Sequence, residues 1–277
     1  MKMVRLPSGE RVPALGQGTW NMGDSRASRK EEIASLQLGL DLGLRLIDTA
    51  EMYGEGKSEA LVGQAIAGRR DQVFLVSKVY PHNASRKGTV AACERSLKRL
   101  ATDHLDLYLL HWRGRIPLAE TLEAFQALQQ AGKIRHYGVS NLDLEDMQAL
   151  TKLAGASQVQ VNQLLYNLTR RGLEFDLLPW MRERGMALMA YSPVEQARLL
   201  RNRALLAFTR RHGMTPAQAA LAWLLAKEDV IAIPKASRRE HVQDNAGAAA
   251  IELSPEQLAE LDRAFPAPGG PVPLEML

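Results

Sequence analysis

The apolar positions of this chain follow two alternating rhythms. Short runs such as Leu46-Ile47 before Asp48, Phe74 to Val76 before Ser77-Lys78, Leu105 to Leu110 before His111 and Tyr137 to Val139 before Ser140 are nearly continuous in apolar residues. That is the pattern of strands buried on both faces. Between them apolar residues recur at helical spacing, as in Ile33, Leu36 and Leu40 or Leu122, Phe125 and Leu128. The strand-like runs end at Gly18, Asp48, Lys78, His111, Ser140, Gln163, Tyr191 and Pro234. Most of these ends lie about 30 residues apart, the length of a strand with its crossover helix.

Start and stop signals sharpen the elements. Ser28 with Glu31 reads as a capping box and Gly43 as the residue after that helix. Gly132 closes the Leu122 helix, and Thr215-Pro216 opens one that runs to Lys227. The segment from Met3 to Leu15 reads as a hairpin turning at Ser8-Gly9, a lid on one end of the fold. Eight such units predict an α/β fold, a single (β/α)8 TIM barrel domain over residues 1–277. It carries the N-terminal β-hairpin 3–15 and a Pro-rich tail 266–277. A barrel of this kind needs about 250 residues, so the length fits.

Composition narrows the function. Net charge is +4 and the pI is near 9.2, which suits an anionic small molecule or cofactor. The basic residues are scattered rather than blocked, so no nucleic-acid surface is expected. Cys93 is the single cysteine, which excludes an intrachain disulfide. Its helical stripe with Val90, Leu97 and Leu100 predicts a small buried hydrophobe. No run approaches the roughly 18 apolar residues of a membrane span, and the N-terminus lacks a signal-like apolar region. The expectation is a cytoplasmic, monomeric protein with no membrane partner.

In a barrel of this type chemistry sits at the C-terminal ends of the strands. Asp48, Lys78 and His111 end three successive strands, and Tyr53 follows Asp48 in the loop. Together they suit a carbonyl that receives a hydride: negative charge develops on its oxygen and an acid must protonate it. Tyr53 serves as the acid, with Lys78 lowering its pKa by opposite-charge attraction. Asp48 holds Lys78, and His111 orients the carbonyl. Each residue alone has a plainer reading, as a cap, a surface charge or a packed aromatic; the joint placement favours catalysis.

The segments Gly16 to Trp20, Asp48 to Gly54, Ser77-Lys78, Leu105 to Trp112, Gly132 to Arg135, Gly138 to Asn141, Asn162-Gln163, Ala190 to Pro193 and Ile233 to Lys235 resemble the aldo-keto reductase superfamily. The similarity runs in order from about residue 3 to residue 265. Within that superfamily the chain is most similar to bacterial reductases acting on methylglyoxal and other small aldehydes. The resemblance implies NADPH/NADP+ as cofactor and a small-molecule carbonyl as substrate. It implies that Ser140, Asn141 and Gln163 hold the nicotinamide carboxamide and that Tyr191 stacks on the ring. Ser192 and Pro193 would run along the pyrophosphate, Thr19 and Asp48 would reach the ribose, and Asn245 the adenine. Lys235, Ser237, Arg238 and His241 would surround the 2′-phosphate. Two positions depart from the family pattern: Ala236 stands where Ser is common and His241 where Arg is common. A neutral imidazole is a poorer phosphate partner than a forked guanidinium.

Trp20, Tyr80, Trp112 and His111 are expected to wall the substrate. The short loop Arg113 to Pro117 and the brief tail predict an open pocket suited to small aldehydes, ketones and dicarbonyls rather than steroids. Other signals fall away. Gly56-Lys57-Ser58 resembles the end of a P-loop, but Glu51 stands where its first glycine belongs. No G-x-G-x-x-G follows a strand, and the histidines lack zinc-ligand spacing, so no metal is expected. Two alternatives stay open: a Schiff-base aldolase using Lys78, and a nicotinamide-binding redox sensor with little turnover.

Overall fold

The computed structural model describes all 277 residues. Strands β1 (Met3–Arg5) and β2 (Arg11–Pro13) pair antiparallel about a turn in which Gly9 takes φ +89°. Their inward residues Val4, Leu6 and Val12 are buried, and Ser8 N–H donates to Gln160 Oε1 at the start of a barrel strand (2.8 Å). The expected lid is therefore a plug on the N-terminal end, opposite the strand ends that carry the chemistry.

The chain then continues as β3 (Gln17–Gly18), α1 (Arg29–Asp41), β4 (Leu46–Asp48), α2 (Lys57–Ala65), β5 (Phe74–Val79), α3 (Arg86–Leu100), β6 (Leu105–Leu110), α4 (Leu118–Gln130) and β7 (Ile134–Ser140). Its second half runs α5 (Leu144–Leu150), β8 (Val159–Leu165), α6 (Leu177–Arg182), β9 (Ala187–Tyr191), α7 (Arg203–His212), α8 (Pro216–Leu225), β10 (Val230–Ala232), α9 (Arg239–Gly247) and α10 (Pro255–Ala264). Strands β3 to β10 pair in parallel in chain order. Gly16 and Gly18 N–H donate to Ala232 and Pro234 carbonyls (2.9 and 3.0 Å), with parallel bridges Leu15–Ala232 and Gly18–Lys235. These contacts close the eight strands into a barrel. A Cβ at residue 18 would stand 2.7 Å from Ile233 O, so the seam needs glycine there.

Every residue of β5, β6 and β8 is buried, as the unbroken apolar runs predict. Leu122, Phe125 and Leu128 face the core from α4, and Cys93 does so from α3. Thr215 and Gln218 form a reciprocal capping box with Pro216 at N1. At α1 the expected box is different: Ser28 Oγ reaches Glu32 Oε1 (3.0 Å), not Glu31. Glu32 is buried because its other oxygen accepts Gly23 N–H (2.9 Å). Strand ends also shift: β5 runs past Lys78 to Val79, β6 stops at Leu110, β8 runs to Leu165 and β10 stops at Ala232. The long interval between Tyr191 and Pro234 holds two helices, α7 and α8.

Candidate active site

A cavity of about 580 Å³ opens at the C-terminal ends of the strands. At its floor Lys78 extends from β5, fully buried. Its ammonium donates to Asp48 Oδ2 (2.8 Å), the Thr49 carbonyl (2.9 Å) and the Tyr53 hydroxyl oxygen (3.2 Å). An ammonium has three N–H donors, and all three are used. Because the Tyr53 oxygen accepts from Lys78, its own proton is free to point into the cavity.

Burial, and then the Asp48 charge, push the Tyr53 phenol well above its ordinary value. The Lys78 ammonium that donates to the Tyr53 oxygen works against this rise without reversing it, because a phenolate is costly in this desolvated floor. Tyr53 is thus a firmly protonated donor. Lys78 itself is held below the ordinary lysine value by burial, with Asp48 and then Glu59 pulling the other way. Glu59 sits behind the floor, accepting from Ser77 Oγ and Arg99 Nε (both 2.6 Å).

His111 follows β6, its ring 5.7 Å from that of Tyr53. Burial and the nearby Lys78 charge push it down to about 2, so it is neutral. Its Nδ1 is buried without a partner. An unpaired buried N–H is rarer than an unpaired lone pair, which assigns the proton to Nε2. The floor therefore holds two neutral donors, Tyr53 O–H and His111 Nε2–H, beside one cation.

Asp48 is shared. Its Oδ1 accepts from Gln163 Nε2 (2.8 Å), and the same amide lies 2.8 Å from Met189 Sδ. This bond turns the Gln163 carbonyl away from Asp48. Thr19 Oγ1 donates to the Asp48 backbone carbonyl (2.9 Å). Asn141 Nδ2 donates to the His111 carbonyl and Ser140 Oγ (both 3.1 Å), and its Oδ1 accepts from Tyr191 O–H (3.0 Å). Both amide hydrogens of Asn141 are thus committed within the protein, leaving one lone pair of its oxygen for a ligand. Its bond to Tyr191 fixes that ring, whose phenol burial raises to about 12.

Thr19, Asp48, Ser140, Asn141, Gln163, Tyr191, Ser192, Pro193, Lys235, Ser237, His241 and Asn245 all line the cavity, as do Tyr53, His111, Trp20 and Trp112. Lys78, buried beneath the floor, Tyr80 and Arg238 do not. Tyr80 stands behind Trp112, its ring edge-on at 5.4 Å. Arg238 turns outward to His241 and Glu240. Asn245 is buried along the wall and takes no side-chain partner from the protein. An amide that faces the cavity without a protein partner, at the far end from Tyr53, suits a ligand with a polar heterocycle there.

Several lining residues had no sequence signal. Met276 and Leu277 of the tail reach the cavity, which corrects the expectation that the tail leaves this mouth unwalled. The tail is tied down by the Arg170–Glu275 ion pair, and Val272 fills the space beside Gly172. The loop after β9 contributes Val194, Gln196 and Ala197. Its Ser192, Glu195, Gln196 and Ala197 all take positive φ between 48° and 69°. Each such non-glycine residue costs roughly 1–2 kcal/mol. Buried Glu195 holds the loop by accepting from Asn167 Nδ2 and Arg170 Nη2 (both 2.8 Å) and Arg198 Nη2 (3.1 Å). Glu51 similarly ties the Tyr53 loop to the next one, accepting from Tyr80 N–H (2.8 Å) and Asn83 Nδ2 (3.0 Å).

Residues 14–265 match the model of the aldo/keto reductase family. The chain belongs to that family. Among curated relatives of this aldo/keto reductase is methylglyoxal reductase YeaE of Escherichia coli, 50% identical over 281 residues, which span 100% of this chain and 99% of the relative. Glyoxal reductase of Bacillus subtilis is 34% identical over 264 residues, 94% of this chain and 91% of the relative. Among solved structures, an aldo/keto reductase from Klebsiella pneumoniae in complex with NADP and acetate superposes with a TM-score of 0.97 at 51% identity. The match covers 100% of this chain and 99% of that one.

Proposed function

We propose that this aldo/keto reductase uses NADPH to reduce small aldehydes, ketones and 2-oxoaldehydes of the methylglyoxal type to alcohols. The observation that carries the reading is the bond from Lys78 Nζ to the Tyr53 oxygen, with Lys78 anchored on Asp48, since it leaves one phenolic proton facing the cavity. Bound NADPH supplies the hydride. Tyr53 delivers its proton to the carbonyl oxygen as negative charge grows there, and Lys78 stabilises the phenolate left behind. His111 Nε2–H donates to the same oxygen and so orients the carbonyl. Asp48 keeps Lys78 charged and in place.

The cofactor would lie along the cavity, with Tyr191 beneath the nicotinamide and Gln163, Ser140 and Asn141 at its carboxamide. Thr19 would reach the ribose, and Ser192 and Pro193 the pyrophosphate. Lys235 and Ser237 would meet the 2′-phosphate, and Asn245 the adenine. The NADP-bound Klebsiella relative, at 51% identity, supports this arrangement. The aldolase alternative needs a neutral amine that a carbonyl can reach; Lys78 is fully buried with all its donors engaged.

Around the floor the cavity is walled by Trp20, Met52, Trp112, Met276 and Leu277, with no charged side chain apart from the tetrad. Trp20 is 42% exposed, so the wall is incomplete. Tight binding of a large apolar ligand needs more enclosure, at about 25 cal/mol per Å² removed from water. Rates of NADPH oxidation with methylglyoxal, diacetyl, aromatic aldehydes, keto-steroids and aldoses test the reading. The small activated carbonyls should give far higher kcat/KM. Absence of turnover with every carbonyl, despite NADPH binding, would favour a sensor, and steroid rates equal to those with methylglyoxal would overturn the substrate class.

A further inference from the structure

We propose that His241 and Arg238 work as one unit that makes the choice between a 2′-phosphorylated dinucleotide and its unphosphorylated counterpart depend on pH. This rests on the reading of the cavity's far end as the adenosine site. His241 lines that end, and Arg238 Nη2 lies 2.6 Å from His241 Nε2. A guanidinium has donors only, so Nε2 must offer its lone pair. The imidazole in this pair is therefore neutral, with its proton on Nδ1, and the pair carries a single positive charge.

Protonation of Nε2 changes its role. An N–H would face an N–H, the bond to Arg238 would be lost, and two cations would stand side by side. Water and Glu240 beside Arg238 relieve part of that repulsion, and an anion bound against both cations relieves more. A phosphate dianion does this; a ribose hydroxyl does not. Acidification that protonates the imidazole should therefore favour the phosphorylated dinucleotide selectively.

The other charges nearby leave that role to the pair. Lys235 lines the same end and donates to Ser237 Oγ (3.3 Å). Asp244, one turn along α9, has both oxygens within 2.9 Å of Thr215 Oγ1 at the start of α8. Helix α1 brings Ser35, which donates to the Ser237 carbonyl (3.0 Å). Glu240 lies 3.2 Å from Arg238 Nη1, not on His241. No carboxylate is bonded to the imidazole.

Dissociation constants of NADP+ and NAD+, followed by tryptophan fluorescence from pH 8.5 to 5.5 at fixed ionic strength, test this in the full chain. In the wild type the ratio of NAD+ to NADP+ constants should rise about three- to ten-fold between pH 8 and 6.5, the size of an exposed charge-assisted contact. In His241→Gln, which keeps an acceptor for Arg238, that rise should vanish; below roughly pH 6 the ratio should fall as the phosphate takes its second proton. His241→Arg should hold a high ratio without the wild-type rise. A wild-type ratio that follows the glutamine variant's curve overturns the proposal. Equal binding of both dinucleotides at every pH, unchanged by Lys235→Ala, would instead remove the adenosine-site reading and the proposal with it.

Discussion

The two ends of the cavity are built on different principles. At the tetrad end Asp48, Lys78, Gln163, Ser140 and Asn141 are buried or half-buried and bonded to one another before any ligand arrives. At the far end Lys235, Arg238 and His241 are exposed, on a loop and the first turn of a helix, each held by few bonds. A prearranged, water-poor site stabilises developing charge without reorganising, so its residues govern rate. Exposed charges act through contacts that water weakens, so theirs govern affinity and selectivity. On the proposed reading, the contrast separates kcat from binding along one groove.

Tyr53→Phe tests the tetrad end most severely. The variant keeps the ring and loses the proton, so kcat should fall by roughly 10²- to 10⁴-fold. The NADPH dissociation constant should stay near the wild-type value, because the hydroxyl faces the substrate side. Single-turnover hydride transfer close to the wild-type rate would show that another group is the acid.

The pH profile comes next. Burial lowers the Lys78 titration, so the ammonium is present on the acid side and is lost as pH rises through that lowered value. Above it kcat should decline by about tenfold per pH unit, as for loss of one required proton. Asp48→Asn removes a group that holds the proton on Lys78 and should move this limb to lower pH. His111, pushed down to about 2, should contribute no break in the ordinary histidine range. A break near neutrality that disappears in His111→Gln would contradict its neutral role.

The same contrast decided what could be read from sequence. The eight units, and the placement of Asp48, Lys78 and His111 within one residue of strand ends, follow from the unbroken apolar runs of strands buried on both faces. Tyr80 also sits beside a strand end, yet Glu51 holds its backbone and Trp112 covers its ring, both non-local facts. Met276 and Leu277 lie in a Pro-rich stretch without periodicity, so their return to the cavity appears only in three dimensions. Lys235 and Asn245 carry no pattern of their own; only the family resemblance singled them out. The rise of the Tyr53 phenol comes first from burial, which the whole barrel sets and sequence spacing does not show.

Lys235→Ala probes the far end. A charged contact to phosphate is worth about 1.5–3 kcal/mol when well formed, and exposure reduces it, so KM for NADPH should rise about tenfold. KM for NADH should hardly move, and kcat with saturating NADPH should be retained. Equal losses with both cofactors would mean that Lys235 supports the loop rather than reading the phosphate.

Tyr191→Phe should give the smallest effect, and it falls where the two regimes meet. The ring lines the cavity, and its hydroxyl donates to Asn141 Oδ1 (3.0 Å). Phenylalanine keeps the flat face and removes that single bond. A neutral hydrogen bond contributes about 1 kcal/mol net, so NADPH affinity should weaken by about fivefold or less. The loss should be the same for NADH, since the bond is remote from the proposed 2′-phosphate end. Tyr191→Ala removes the face as well, and should weaken both cofactors further while leaving their ratio unchanged. If Tyr191→Phe instead lowered kcat as much as Tyr53→Phe, the Asn141–Tyr191 bond would belong to the catalytic floor, and the boundary between the two ends would lie further along the groove.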